Sequence, residues 1–252
     1  MMLPAGWTAR RPTLDDVPAL LAVVHAADTF AIGHPDFDAD DVRAVERGLP
    51  ALTARAAVCA PETRWAGELT SAGFTRAKRY LRMSRPLAEL PAEPPPPPGV
   101  TVRALRAGDD ADLRLFHRIY DTAFRDTADY EPVGFDAWRD RLSDAGRVWD
   151  EWFLAEADGE PAGALNSSDQ AVDQDMGWVR TLSVLPAYRR RGVGAALLRR
   201  AFAVYAAKGR GHAGLGVDLA NPTTPVTLYR SVGLREARWT DLYERSVPAA
   251  GV

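Results

Sequence analysis

Residues 181–198 read Thr181-Leu182-Ser183-Val184-Leu185-Pro186-Ala187-Tyr188-Arg189-Arg190-Arg191-Gly192-Val193-Gly194-Ala195-Ala196-Leu197-Leu198, and the fold turns on how this run divides. A strand stops at Pro186, which has no amide to continue a ladder. A loop of three arginines then enters a helix through Gly192-Val193-Gly194. Val193, Leu197, Ala201 and Val204 make that helix's apolar stripe, while Arg199, Arg200 and Lys208 fall on its wet side. The first amides of a helix have no internal partner and, with the macrodipole, attract anions. Glycine lets an anion approach the backbone, and arginine adds charge-assisted contacts.

Three readings fit such a turn. It is an ordinary helix start, a dinucleotide loop, or a coenzyme A pyrophosphate loop. The dinucleotide fingerprint needs a third glycine where Leu197 stands, and glycines immediately after the strand. A P-loop needs Gly-Lys-Ser/Thr, which does not follow. An R-x-x-G-x-G loop after a strand-proline end satisfies every residue of the third reading.

Working outward, the pattern alternates. Val100–Leu105 reads as a strand and Asp109–Phe124 as a helix, with Leu113, Phe116, Ile119, Tyr120 and Ala123 at helical spacing. Phe135–Leu142 reads as a second helix. Strands over 152–157 and 162–166 are joined by Asp158-Gly159-Glu160-Pro161, a hairpin signal. Strands follow at Trp178–Leu185, Ala213–Ala220 and about Trp239–Arg245, with helices over Gly192–Ala207 and about Pro225–Val232. This predicts an α/β protein with a mixed central sheet flanked by helices.

Upstream, Pro91-Ala92-Glu93-Pro94-Pro95-Pro96-Pro97-Pro98-Gly99 admits neither helix nor central strand, and its prolines span about 15 Å as a spacer. The predicted organisation is residues 1–90, a proline-rich linker over 91–99, and a second domain over 100–247. Short matches link the two parts. Thr8-Ala9-Arg10 resembles Thr101-Val102-Arg103, 93 positions later, and Ser71-Ala72-Gly73-Phe74 resembles Ser231-Val232-Gly233-Leu234, 160 positions later. The first part is then a copy shortened by about 67 residues, the difference between those offsets.

Composition narrows the class. The chain has 252 residues, 46% hydrophobic and 26% charged, with a net charge of −3, which fits a folded domain and argues against a nucleic-acid partner. No apolar run approaches the roughly 20 residues that span a bilayer, and the start lacks the pattern of a secretory signal. One cysteine, Cys59, and four scattered histidines supply neither a disulfide framework nor a metal motif. A cytoplasmic, metal-free protein, monomeric or homodimeric and with no membrane partner, is expected.

Arg189-x-x-Gly192-x-Gly194 after a Val-x-Pro strand end resembles the signature motif of the GCN5-related N-acetyltransferases (GNAT). Gly216-Val217-Asp218-Leu219-Ala220-Asn221-Pro222 and Leu228-Tyr229-Arg230-Ser231-Val232-Gly233-Leu234 are similar to that family's carboxyl-terminal block, so the likeness runs over about residues 100–246. The doubled arrangement most resembles the tandem acetyltransferases that include mycothiol synthase, here with a truncated, degenerate GNAT-like first copy over 1–90.

The resemblance implies acetyl-coenzyme A (acyl-coenzyme A) as co-substrate and no metal. Amides from Arg190 through Arg191, Gly192, Val193 and Gly194 to Ala195, with Arg189, would hold the pyrophosphate. The strand Leu182-Ser183-Val184 would carry the pantetheine arm on the main-chain groups of Leu182 and Val184, in a cleft opened by a bulge. Asn221 would bind near the thioester, although an Asx turn before Pro222 explains it equally. Tyr229 would protonate the leaving thiolate. The family's usual base position falls on Trp178, leaving Asp173, Asp175 or a water chain as alternatives. In the first copy Leu69 and Pro61 match Tyr229 and Asn221, so no second site is expected. The implied activity is N-acyl transfer, acetyl above all, to a primary amine of a small molecule by direct attack. The rivals are a non-catalytic acyl-coenzyme A sensor and a nicotinamide-linked oxidoreductase. Asp126, Asp129 and Glu131 are candidates for attracting a cationic acceptor.

Overall fold

The computed structural model describes residues 51–59, 64–88, 94–106, 108–127, 130–140, 142, 149–219 and 226–248. The strand expected near Thr8 and the sequence-predicted positions Pro61, Asp129 and Asn221 lie outside these residues. The elements are β1 (Ala51–Cys59), α1 (Arg64–Ser71), β2 (Thr75–Pro86), β3 (Val100–Ala104), α2 (Asp110–Phe124), α3 (Phe135–Asp140), β4 (Phe153–Ala157), β5 (Glu160–Ser168), β6 (Met176–Val184), α4 (Val193–Ala207), β7 (His212–Asp218), α5 (Val226–Ser231) and β8 (Arg235–Pro248).

The chain forms two compact units, Met1–Ala77 with Leu242–Val252, and Lys78–Asp241. In the larger unit the strands run in the order β8-β2-β7-β6-β5-β4-β3. Strands β3 to β6 are antiparallel neighbours, β6 and β7 are parallel, and β2 pairs antiparallel with β7 from Tyr80↔Asp218 to Pro86↔His212. Thus Lys78–Pro86, which precedes the proline run, belongs by compactness and pairing with residues 100–241.

Two hydrophobic clusters sandwich the sheet. On one face α4 places Val193, Leu197, Leu198, Ala201, Phe202 and Tyr205 against Leu165, Val179, Leu215 and Met83. The stripe expected from spacing is buried as predicted, except that Val204 is only partly covered. Gly163 lets α4 close in, since a Cβ there would lie 2.9 Å from Val193 Cγ1. On the opposite face α2 packs Leu113, Phe116 and Ile119 over Leu154, Ala164 and Trp152. Asp109 caps α2 by accepting from the Ala111 and Asp112 amides. Asp112 is buried and accepts from the Arg103 and Arg106 guanidiniums, which hold its carboxyl far below the usual carboxylate range and tie α2 to β3.

The proline run lies along α4. A Cβ on Gly192 would come within 2.7 Å of Pro97 Cγ, and Pro94 and Pro96 border a cavity of about 270 Å³ with Val102, Ala196, Arg199 and Arg200.

The smaller unit, described over β1, α1, the start of β2 and the end of β8, turns from α1 into β2 through Gly73 at φ +83°. Arg245 closes that turn by donating to the Ala72 carbonyl (2.7 Å).

Candidate active site

The site begins where two parallel strands part. β6 pairs with β7 only from Met176↔His212 to Val179↔Leu215, while on its other side β6 stays paired with β5 as far as Gly163↔Val184. The ladder between β5 and β6 shifts register at Asn166/Ser167, leaving Arg180 as the extra residue of β6. The added twist carries residues 180–184 away from β7, so a cleft opens beside them.

Hydrogen-bond parity tells which groups face that cleft. Leu185 N donates to Ala162 O (2.9 Å). Because antiparallel partners alternate, Ser183 and Thr181 also turn their main-chain groups to β5, and Leu182 and Val184 turn theirs to the cleft. Leu182 and Val184, named from the sequence for the pantetheine arm, are thus the residues whose main-chain groups face the cleft. Ser183 presents no main-chain group there; its side chain is buried on the α2 face of the sheet.

Above the wide end of the cleft stands the start of α4. Gly192 is its N-cap in the left-handed region (φ +83°) with no side-chain cap, so the Val193, Gly194 and Ala195 amides are left for an external anion. Arg190 is left-handed too (φ +64°), exposed, and without an ion-pair or hydrogen-bond partner among the described residues. The other two arginines of the loop are engaged. Arg189 donates to Asp126 (2.9 Å), to the Ala123 carbonyl (3.1 Å) and through Nε to the Val184 carbonyl (3.2 Å). It therefore braces the loop against the end of α2. Arg191 pairs with Asp158 and lies over the Tyr188 ring.

α5 closes the same corner. A Cβ on Gly194 would lie 2.9 Å from Leu228 Cδ2, 3.5 Å from Val184 Cγ2 and 3.8 Å from Leu182 Cδ2, so the glycine admits α5 against α4 and β6. Tyr229, next to Leu228, is 8% exposed within the α4-side core. Burial pushes its phenol up to about 12, and its hydroxyl has no hydrogen-bond partner among the described residues. Such a phenol keeps its proton throughout the neutral range and is a hydrogen-bond donor in search of an acceptor. Full transfer to a thiolate, whose parent thiol titrates near ~8.5, is uphill by roughly 5 kcal/mol at these values.

Of the acids considered as bases, Asp175 accepts from Gly211 N (2.8 Å) before the first residue of β6, and Asp173 lies in the preceding turn. Seven residues of strand, about 23 Å, separate Asp175 from Leu182, so neither acid reaches the cleft where α4 begins. Trp178 lies beneath the Arg82 guanidinium (4.8 Å) and over β7, where Gly214 leaves room for its ring. Asp126 already faces Arg189, which offsets the charge imagined for a cationic acceptor. Sequence reasoning missed Leu228, Pro97 and Arg82; only Leu228 lies within a recognised motif.

No helix among the described residues is long and apolar enough to cross a membrane, and no cluster of metal-ligating side chains occurs among them.

The model of the acetyltransferase (GNAT) family matches residues 113–233. A mycothiol acetyltransferase of Salinispora arenicola is 31% identical over 258 aligned positions, covering 88% of this chain and 80% of the relative. That of Thermobispora bispora is 32% identical over 175 positions, and the match spans 57% of its length. Among solved structures, a GCN5-related N-acetyltransferase from Sphaerobacter thermophilus superposes with a TM-score of 0.71 at 20% identity, covering 98% of both chains. A tandem GNAT protein from the clavulanic acid biosynthesis pathway gives 0.58 at 15% identity, covering 83% of this chain and 68% of that one. These two likenesses concern the fold.

Proposed function

The chain belongs to the acetyltransferase (GNAT) family, and from that premise we propose that it transfers an acyl group, acetyl first of all, from acyl-coenzyme A to a primary amine of a small molecule. The observation that carries this reading is the departure of β6 from β7 after Val179, directly below the uncapped start of α4. Together they offer an anion cradle and an open strand edge, the two features a phosphorylated, amide-bearing thioester needs.

In the proposed mechanism the pyrophosphate lies on the amides of Val193, Gly194 and Ala195, with the exposed Arg190 as its counter-charge. The pantetheine amides extend the sheet along Val184 and Leu182. The amine nitrogen attacks the thioester carbonyl, and a β6 amide at Val184 stabilises the oxyanion. The carbon–nitrogen bond forms, the carbon–sulfur bond breaks, and the amine's surplus proton leaves to solvent. Tyr229 donates a hydrogen bond to the departing sulfur, which leaves as the thiolate and takes its proton from solvent. Asn221 lies near the thioester on this reading. Residues 1–90 act as a degenerate copy that contributes a strand and no second site.

Relatives named mycothiol acetyltransferases make an amine on a small thiol conjugate a first acceptor to try. The test is incubation with acetyl-coenzyme A and an amine library, followed by mass spectrometry. Acetylated amine and free coenzyme A in equal amounts are expected. Coenzyme binding with no product from any amine would favour the non-catalytic sensor.

A further inference from the structure

Three polar atoms are buried without a hydrogen-bond partner among the described residues: Trp152 Nε1, Asn166 Oδ1 and Ser183 Oγ. Their residues are 3%, 6% and 1% exposed. Orphaned polar atoms are rare in native interiors, and each one asks for an explanation. Here they are not scattered.

The strand registers put them together. Phe153 pairs with Leu165, so Trp152, one residue earlier, stands level with Asn166, which pairs in turn with Thr181. The next row on the same face is Leu154, Ala164 and Ser183. Both rows lie on the α2 side, where Trp152, Leu154 and Ala164 pack beneath Phe116 and Ile119. The Trp152–Asn166–Thr181 row also lies at the height of the register shift, where β6 begins to leave β7. An acyl chain laid along Val184 and Leu182 ends at this height. On the α2 face of the sheet, Ser183 on β6 offers a hydroxyl that donates or accepts, Asn166 on β5 an acceptor-only amide oxygen, and Trp152 just before β4 a donor-only indole N–H.

We propose that Trp152, Asn166 and Ser183 form an acceptor subsite, closed beneath α2 in the free protein, that takes a neutral group with both a donor and an acceptor edge, an amide or a hydroxyl, carried by the amine substrate. The proposal rests on the transferase reading. No charged side chain belongs to the set, so it does not select an ionic substituent. The complementarity is with a group that accepts from Trp152 and donates to Asn166, and Ser183 completes either partner. An amine without such a group leaves the three atoms unpaired, which is how a polar site rejects an apolar analogue.

The test uses the full chain labelled with nitrogen-15 at tryptophan, with and without coenzyme A. The Trp152 indole resonance is assigned by its loss in Trp152→Phe. Glycinamide, ethanolamine and ethylamine are the probes. The Trp152 N–H signal moves with glycinamide or ethanolamine and stays in place with ethylamine; which of the first two moves it says whether amide or hydroxyl is preferred. Ser183→Ala and Asn166→Leu weaken binding of the responding amine about 3- to 10-fold, the loss of one neutral hydrogen bond, and leave ethylamine unaffected. Ser183→Ala keeps or raises the melting temperature, because it removes an orphaned hydroxyl; it also carries the test should Asn166→Leu fail to fold. The proposal is overturned if the resonance is silent to all three amines, or if all three move it alike, as they would if the atoms merely enclosed water. Failure of the transferase reading shows separately, as absent coenzyme A binding in calorimetry.

Discussion

Two helix–turn–strand units, 160 positions apart, share one backbone and differ in what they offer. α1 runs into β2 through Gly73 (φ +83°), and α5 runs into β8 through Gly233 (φ +87°). Phe74 N donates to Leu69 O (2.9 Å) in the first, and Leu234 N to Tyr229 O (3.1 Å) in the second, the same helix-ending bond. Arg245 donates to the Ala72 carbonyl and Arg85, 160 positions earlier, to the Val232 carbonyl, each at 2.7 Å. The frame is therefore kept by glycine and arginine. The chemistry is not: the phenol of Tyr229 is buried beside α4, and the matching Leu69 is a half-buried aliphatic side chain. On the proposed mechanism, the repeated frame carries a site only where its phenol also lies in the core beside α4, whose start has no side-chain cap.

The sharpest way to break this contrast is at the reactive position. Tyr229→Phe should lower kcat by about 10²- to 10³-fold, the usual range for losing one hydrogen-bond donor to charge that develops in the transition state, with coenzyme A affinity retained, whereas Leu69→Ala should leave kcat in place. Equal kinetics for Tyr229→Phe and wild type would remove the tyrosine from the chemistry.

Alkaline stability comes next. The folded-state pKa of Tyr229 is raised to about 12 by burial, above its unfolded value near 10. Its contribution is fully present below pH 10 and is lost as pH climbs through 12, about 3 kcal/mol in all. Denaturant titrations from pH 9 to 12 should show a shallower decline for Tyr229→Phe; parallel curves would contradict the burial argument.

A smaller effect separates the two turns. Alanine at Gly233 meets both a left-handed φ and Arg85 Nη1 at 2.7 Å, while alanine at Gly73 meets the same φ and only Arg245 Cδ at 3.5 Å. Gly233→Ala should cost about 2 kcal/mol and Gly73→Ala about 1, read as melting temperatures. The smallest contrast is within the arginine loop. Arg190→Ala should weaken coenzyme A binding several-fold in a salt-dependent way. Arg189→Ala should act chiefly on stability, by about 1 kcal/mol, because its hydrogen bonds hold the end of α2.

Much of this is legible in the sequence. The helix from Gly192, the hairpin at Asp158-Gly159 and the strand end at Pro186 follow from local rules about amide donors, positive φ and apolar spacing. The loop motif marked the proposed anion cradle for the same reason, since the free amides of a helix start are a property of the chain segment itself. Element boundaries differ where neighbours decide them: α3 ends at Asp140 rather than Leu142, and β8 runs from Arg235 rather than Trp239.

What the chain alone determined, then, is each element, the uncapped start of α4 and the candidate phenol, because these depend on residues a few positions apart. The tertiary structure decided which strands adjoin and which side chains remain available. It put β2 beside β7, turned Arg189 toward Asp126 and Ala123, removed Asp173 and Asp175 from reach of the cleft, and gathered Trp152, Asn166 and Ser183 on one face. Each of those outcomes depends on pairing register and on contacts between residues far apart in sequence, and no local pattern encodes the partner.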